Sequence, residues 1–447
     1  LPNHTVSCDI AVVGGGVLGV STAFWLSEIY DCNITLVEKE HEVALHTTKR
    51  NTGVIHRPFY LNPEKKKIIA RSAEKSYHLW KKLAFKHGLP WKQVGTLEVA
   101  STQRDLNTLE EYLKWGQING MLETEIEILN SSQVKSLEPQ VSCASAIHSK
   151  TDTSVDFSDL TKILFRLAVN NGVKLLGGAT VKSVNEGHNI EIETLNTDGS
   201  QSTVICDFMV NAAGGGSVDI AHMTGVAQQY TDLHFRGEYW KVDEPFASKV
   251  SRNIYSVPKY KEFPFLDPHF IVKHNGVREI GPNAVLVSGP TVYHGVSSSF
   301  SELVQKVVER PFTPKAKMFA NRRFIELAWN EWWSSMSKKA MCSRASKFVP
   351  SLKPYMLTTK GLAGVRSSLI DGQSFIPEAI CIYGERSLHL LNYNSPGATG
   401  APAFSAHLVA DAQTKGHLDS YPVKVQPKHK HLWLFEDAAN LSETRLE

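Results

Sequence analysis

The sequence has no C-x-x-C pair and no Cys/His cluster at zinc-ligand spacing; its six cysteines, at 8, 32, 143, 206, 342 and 381, are scattered. That scatter excludes a zinc module or a disulfide framework readable from spacing. Several of these thiols sit in apolar, strand-like runs, where a free cysteine behaves as a small buried hydrophobe. A reducing intracellular compartment and no metal are therefore expected. No apolar run approaches the ~20 residues of a membrane-spanning helix. Charge of one sign is missing too: 48 basic against 45 acidic residues leave +3 over 447 residues, without the basic excess that marks a nucleic-acid binder. Internal repeats and low-complexity tracts are absent. The chain begins at Leu1 rather than Met, which fits a targeting segment that has been removed or lies outside this sequence.

What is present is an ordinary globular composition, 42% hydrophobic and 21% charged, enough for a full core and for two domains, or one nucleotide domain with a large insertion. The most informative stretch is 8–39. Ile10–Val13 is β-prone and apolar, Gly14, Gly16 and Gly19 follow in G-x-G-x-x-G spacing, an apolar-periodic segment runs through Leu26, and a second strand ends on Glu38. This is a βαβ dinucleotide fingerprint. The first glycine permits the turn, the second lets backbone approach a pyrophosphate, and the third lets helix and strand pack closely. The helix N-terminus offers N–H groups to phosphate. Glu38 is placed to accept from ribose hydroxyls, and its charge disfavours a 2′-phosphate. The fingerprint alone leaves NAD and FAD equally open.

Further along, 41–60 has neither strand nor helix period and is expected as a cofactor-lining loop. Residues 63–88 read as an amphipathic helix stopped by Gly88. A strand at 91–100, a helix at 102–119, short strands and turns through 126–160, and a helix at 159–171 with acids in its first turn follow. An apolar strand then runs into Asn211, Ala212, Ala213 and Gly214, returning to the first domain after a long excursion. Residues 230–300 alternate like a mostly antiparallel sheet. Residues 301–346 return to helix, and 360–367 reads as a glycine-containing loop. Two last strands lead to Ser395, Pro396, Gly397, Ala398, Thr399 and Gly400, a second strand, Gly-turn and helix suited to an anion or a cofactor ring.

The glycine fingerprint, the returning strand ending in Asn211-Ala212-Ala213-Gly214 and the C-terminal Gly-turn helix resemble the D-amino-acid-oxidase/glycine-oxidase group of FAD enzymes. Longer pieces resemble the L-2-hydroxyglutarate dehydrogenases and oxidases of that group: Glu38-Lys39-Glu40, His46-Thr47, Asn51 with Gly53-Val54-Ile55-His56, and Phe235-Arg236-Gly237-Glu238-Tyr239. Asn253-Ile254-Tyr255 with Val257-Pro258, Phe263-Pro264-Phe265-Leu266 with His269, Gly281-Pro282-Asn283-Ala284-Val285-Leu286, Ala363-Gly364-Val365-Arg366, and Ser395-Pro396 with Ala398-Thr399 complete the set. The similarity runs from about 8 to 412. It implies an α/β fold, a Rossmann-like FAD-binding domain with a second, mostly antiparallel sheet domain for substrate. The FAD-binding domain is expected at 1–90, 150–225 and 355–415, the substrate domain at 91–149 and 226–354, and a C-terminal extension at 416–447. A eukaryotic source would imply mitochondria.

The resemblance also implies FAD contacts. At the adenosine and pyrophosphate end these are Gly14, Gly16, Val17, Leu18, Gly19, Glu38, Lys39 and Val181. Toward the ring they are His46, Thr47, Thr48, Asn51, Gly53, Val54, Ala213, Gly214, Gly364, Arg366, Pro396, Gly397, Ala398 and Thr399. No cysteine matches an attachment position, so the flavin is expected to be non-covalent. The chain departs from the family pattern at Arg57-Pro58-Phe59-Tyr60-Leu61, at Asp267-Pro268 and in the loop after Leu286, positions expected to border the substrate.

Oxidation of a 2-hydroxy acid by hydride transfer to flavin needs a cation for the carboxylate and a base for the hydroxyl proton. Arg366 is the choice for the carboxylate, since a guanidinium recognises it bidentately. His56 or His269 is the candidate base, against the plainer reading of a hydrogen-bonded structural histidine. Arg236 and Tyr239 are candidates for a distal carboxylate, with a buried ion pair and a core position as the alternatives. Asn283 either bonds substrate or caps a turn. The leading reaction is L-2-hydroxyglutarate to 2-oxoglutarate, the rivals an amine or amino-acid oxidase and a non-catalytic FAD-binding protein. Electrons would leave to a quinone, an electron-transfer protein or O2. The basic and aromatic stretch 312–339 reads either as a domain-packing helix with a solvated charged face or as a peripheral membrane contact.

Overall fold

The computed structural model describes residues 4–259, 267–372 and 374–441; the Phe263-Pro264-Phe265-Leu266 motif lies outside them. Its centre is a six-stranded sheet in the order Lys174–Gly177, Ile34–Glu38, Ile10–Val13, Phe208–Asn211, Ser387–Leu391, Ile380–Tyr383. The first five strands run parallel and the last antiparallel. Ile10–Val13 and Ile34–Glu38 are buried at every residue, as strands covered by helices on both faces must be. Val17–Ile29 packs on Gly397–Thr414 and Phe157–Asn170. Ile10–Val13 has the strand next in sequence on one side and the returning strand on the other. This is the switch point at which open α/β sheets leave a ligand crevice beyond the strand ends.

Three local expectations meet their physical cause here. Lys67–His87 ends on Gly88 in the left-handed conformation, Phe157–Asn170 is capped by the Asp156 carboxylate accepting from Ser158 and Asp159 N–H, and the strand Phe208–Asn211 does return to pair with Ile10–Val13. Residues 360–367 differ: Gly364–Asp371 is a strand, antiparallel to Thr231–Gly237, with Arg366 opposite Phe235. The paired strand supplies the hydrogen bonds that a glycine-rich sequence by itself does not signal.

Thr231–Gly237 also pairs with Val285–Val287, making a four-stranded antiparallel sheet. An eight-stranded, mostly antiparallel sheet combines Thr96–Ala100, Ile126–Asn130 and Ser145–Ser149 with strands from 240–281 and 357–360. One of its pairings, Asn253–Ser256 on Thr96–Ala100, is parallel, because the two strands come from distant parts of the chain. We propose that the six-stranded sheet and its helices form the nucleotide unit and these two sheets the substrate unit. The segment after Gly416 packs back on the nucleotide side, where Trp433 is buried against Trp25 and donates its indole N–H to Leu79 O.

Arg57, the first residue of the departing 57–61 segment, is fully buried together with Glu74. Its Nη2 lies 2.7 Å from Glu74 Oε1, its Nη1 3.0 Å from Glu125 Oε1, and its guanidinium 4.3 Å over the Tyr77 ring. Arg57→Met strands a buried carboxylate and is expected to cost about 3–5 kcal/mol in chemical denaturation, most of it recovered in the double variant with Glu74→Leu.

Candidate active site

The chain encloses one elongated cavity of about 570 Å³ that begins at the glycine turn and reaches His56 and Arg366. At its first end Gly14 has φ +108°, and a Cβ there would lie 2.4 Å from Ala212 O; a Cβ on Gly19 would lie 1.8 Å from Gly14 O. Backbone therefore comes too close for any other residue at either position. Gly19 itself does not line the cavity. It lets Val17–Ile29 sit against the turn, and in that sense it is a packing glycine. Gly16 caps this helix without a side-chain bond, so the helix N-terminus opens toward the cavity as an anion site. Val17 N donates to Thr48 Oγ1 at 3.0 Å, and Glu38 Oε2 accepts from Gly15 N at 2.5 Å.

Leu18, Lys39, Val181, Ala213 and Gly214 also line this end, and Thr47, Asn51, Val54, Gly364 and Pro396 to Thr399 line the remainder. Burial lowers the Lys39 ammonium pKa against the opposing pull of Glu38 and Glu40. Gly53, with φ +71°, does not reach the cavity; Asn51 Oδ1 accepts from its N–H and fixes the loop. His46 lines the cavity with both ring nitrogens engaged, Nδ1 at 2.6 Å from Tyr293 Oη and Nε2 at 2.8 Å from Glu40 Oε1. A second helix, Gly397–Thr414, also starts at the cavity without a side-chain cap.

At the far end the short strand Val54–Ile55 pairs with Thr153–Ser154, which sets His56 beside Asp152. His56 Nδ1 lies 3.0 Å from Asp152 Oδ2. Asp152, fully buried, also accepts from Thr96 Oγ1 at 2.8 Å, Ser149 Oγ at 2.5 Å and Arg57 N at 3.1 Å. With Nδ1–H given to the carboxylate, the lone pair is on Nε2, which stands 3.2 Å from Tyr255 Oη. Thr399 Oγ1 accepts from His56 N at 3.2 Å and ties this strand to the C-terminal helix. Asp152, Thr96 and Ser149 were not legible as site residues, because each sits in a strand or turn with nothing periodic or motif-like about it; Tyr255 lies in the Asn253-Ile254-Tyr255 piece of the resemblance, which did not single it out for the site.

Arg366 lines the same end, reachable from the cavity but enclosed by protein. Burial pulls its guanidinium down to about 10, opposed by Tyr239, so it stays charged at neutral pH. Tyr239 lines the cavity and burial raises its phenol. Asn283 Oδ1 accepts from Glu238 N at 2.8 Å, while Nδ2 is buried with no partner among the described residues, in the cavity wall.

Two candidates are not brought in. Arg236 lies on the other face of its strand, 2.8 Å from Glu238 Oε1, and lines a separate cavity; alternation along a strand sends it away from Phe235 and Gly237. His269 does not line the cavity either. Its ring stacks on Tyr255 at 3.8 Å between centroids, and burial holds its pKa well below the ordinary value, the opposite of what a proton acceptor needs. In the 57–61 segment Arg57 and Phe59 are buried in the core, while the Tyr60 ring packs edge-on against His56 with centroids 6.1 Å apart.

A glycine cradle at a helix N-terminus, continuous with an oriented imidazole and an enclosed guanidinium, defines a dinucleotide-dependent oxidoreductase. The chain belongs to the DAO family of FAD dependent oxidoreductases, whose signature spans residues 9–412. It is 30% identical over 427 residues to the mitochondrial L-2-hydroxyglutarate dehydrogenase of Caenorhabditis briggsae, covering 91% of this chain and 93% of that one. To the L-2-hydroxyglutarate dehydrogenase of Indibacter alkaliphilus it is 30% identical, covering 88% and 96%. Among solved structures, the FAD-bound L-alpha-glycerophosphate oxidase of Mycoplasma pneumoniae superposes with TM-score 0.68 at 22% identity, covering 94% and 97%. Glycine oxidase from Geobacillus kaustophilus gives 0.65 at 16%, covering 93% and 96%. FAD is the cofactor, and the cradle, the two open helix N-termini and the room left by Gly14 fit it. With both His46 nitrogens already bonded, acid precipitation is expected to release all yellow colour into the supernatant; colour left on the protein pellet would show a covalent link.

Proposed function

We propose that this protein oxidises a 2-hydroxy acid, with L-2-hydroxyglutarate to 2-oxoglutarate as the leading reaction. The observation that carries this reading is that one cavity is lined by both Arg366 and His56, the latter backed by Asp152. Arg366 receives the C1 carboxylate as a bidentate ion pair, strengthened by the enclosure that excludes water. Nε2 of His56 takes the C2 hydroxyl proton, and Asp152 holds the ring in the required tautomer and balances the charge that develops on it. Asn283 Nδ2 and Tyr239 Oη are further donors for the substrate's oxygens. FAD, when bound, supplies the two-electron acceptor. The L-2-hydroxyglutarate dehydrogenases among its relatives support the choice of acid.

An anaerobic panel of hydroxy and amino acids tests it: L-2-hydroxyglutarate is expected to bleach the flavin. Bleaching by glycine-like substrates alone would make it an amine oxidase, and none at all a non-catalytic FAD-binding protein. Arg366→Ala is expected to abolish bleaching with FAD retained. Asp152→Asn should slow it on the order of 10²-fold or more without loss of flavin.

We also propose a peripheral contact with an anionic lipid surface. Which side chains of 312–339 point out supports the membrane reading over that of a packing helix with a solvated charged face. In Arg322–Met336, Phe324, Leu327 and Ser335 face in, while Ile325, Trp329, Trp333 and Met336 face out, the last 67% exposed. Those four share one helical face, and the exposed Arg322, Arg323 and Lys339 flank them. Apolar insertion and basic flanks suit an anionic membrane interface. No helix among the described residues is long and apolar enough to cross a membrane. Flotation with vesicles containing phosphatidylserine at low salt is expected to carry the protein up, and Trp329→Ser/Trp333→Ser to leave it at the bottom.

A further inference from the structure

Scattered along the chain, two of the six cysteines meet in the fold. His4–Ser7 runs parallel to Gln201–Cys206 with Ser7 level with Ile205, and the pairing continues one residue further, where Cys8 N donates to Ile205 O at 3.0 Å. In a parallel pair that bond sets Cys8 level with Cys206. Alternation puts Val6 with Cys8, and Val204 with Cys206, on one face of the sheet, and all four pack into the same apolar cluster. Neighbouring strands lie about 4.8 Å apart, inside the roughly 4.4–6.8 Å of Cα separation that a disulfide spans. Both thiols are free.

The pair also differs from the other cysteines in its chemistry. Cys206 donates its S–H to the Cys8 sulfur, and this bond lowers the Cys8 thiol below its ordinary value against the opposing effect of burial; Thr35 donates to the same sulfur. Cys206 is pushed up by the same bond and by burial. Burial also raises Cys32, Cys143, Cys342 and Cys381. Cys8 therefore carries the most thiolate, the nucleophilic form. It is also the more reachable of the two, 9% exposed against 1% for Cys206. A reachable nucleophile thus lies against an enclosed thiol that can resolve it.

We propose that Cys8 and Cys206 form a reversible disulfide under attack by a hydroperoxide, and that it clamps the two strands carrying the FAD cradle. Each cysteine stands two residues ahead of the pair Ile10 and Phe208, with which the central strands Ile10–Val13 and Phe208–Asn211 begin. The far ends of those strands lead into Gly14 and into Ala213 and Gly214, which line the FAD cavity. In the first step the Cys8 thiolate attacks a peroxide oxygen; the O–O bond breaks, Cys8 becomes a sulfenic acid, and the second oxygen takes a proton and leaves as water. In the second step the Cys206 sulfur attacks the sulfenic sulfur. An S–S bond forms, the S–O bond breaks, and the hydroxyl leaves as water with the Cys206 proton. The two sulfurs lose two electrons and the peroxide oxygens gain them. Exchange with a small thiol of the glutathione kind returns the reduced pair, as a regulatory disulfide in a reducing compartment requires. The link closes a long loop, between residues 8 and 206, and so constrains the unfolded chain.

The test uses the full-length, FAD-loaded protein and hydrogen peroxide as the probe, followed by alkylation of the remaining thiols and non-reducing peptide mass spectrometry. A Cys8–Cys206 linked peptide pair is expected, with the thiols titrated after denaturation falling from six to four. The melting temperature should rise by roughly 5 °C and return with dithiothreitol. In Cys206→Ala, which keeps the site apolar, Cys8 is expected to stop at the sulfenic acid and to be labelled by dimedone at least tenfold more than in the wild type. The visible flavin spectrum shows that the variant is folded and loaded. Six alkylatable thiols after peroxide, a link from Cys8 to Cys32, or equal dimedone labelling in wild type and Cys206→Ala would each overturn the pairing.

Discussion

The buried carboxylate of Asp152 is the point on which the site depends. It accepts from His56 and Arg57 at the edge of the nucleotide side, from Thr96 in the eight-stranded sheet and from Ser149. Two charged oxygens removed from water are tolerated only if donors fill them, and here the donors come from three separate stretches of chain. The same bonds that neutralise the burial cost therefore hold the nucleotide side against the sheet that carries Tyr255, and they orient the imidazole. Neighbouring Arg57 serves the same join through Glu74 and Glu125. Within the departing 57–61 segment Arg57 thus braces the scaffold, while Tyr60 packs edge-on against His56.

A second constraint is the two-residue period of a strand. At the end of Thr231–Gly237, Phe235 and Gly237 border one space while Arg236 and Glu238 border the other, so adjacent residues face two different cavities. Phe235 and Gly237 leave room on one face. Arg236 and Glu238 build an ion-paired floor on the other. The aromatic face of Arg322–Met336 then closes the outer space with side chains that water does not favour.

Much of the fold was legible from sequence, and its legible parts share a cause. The glycine turn, the fully apolar strands around it, the Gly88 stop and the acid-led start of the helix after residue 156 are each dictated by neighbours within a few residues, and the strand at 208–211 showed itself by its own apolar run into Asn211-Ala212-Ala213-Gly214. The resemblance carried this further, to FAD and to the substrate class, because it compares whole local motifs. Arg366 was picked out as the carboxylate ligand on that basis, yet its setting in a strand was not, since the hydrogen bonds that make it a strand come from Thr231–Gly237, more than a hundred residues earlier. Arg236 and His269 share the same kind of motif and are turned away.

By itself, then, the sequence determined the dinucleotide cradle: no residue but glycine survives where Gly19 meets Gly14, and that steric demand is written locally. Only the tertiary structure decided which of His56, His269, Arg236 and Arg366 face the cavity and that Asp152 stands behind His56. Side-chain direction in a sheet is set by register and by which face is covered, and both are properties of strands brought together from distant parts of the chain.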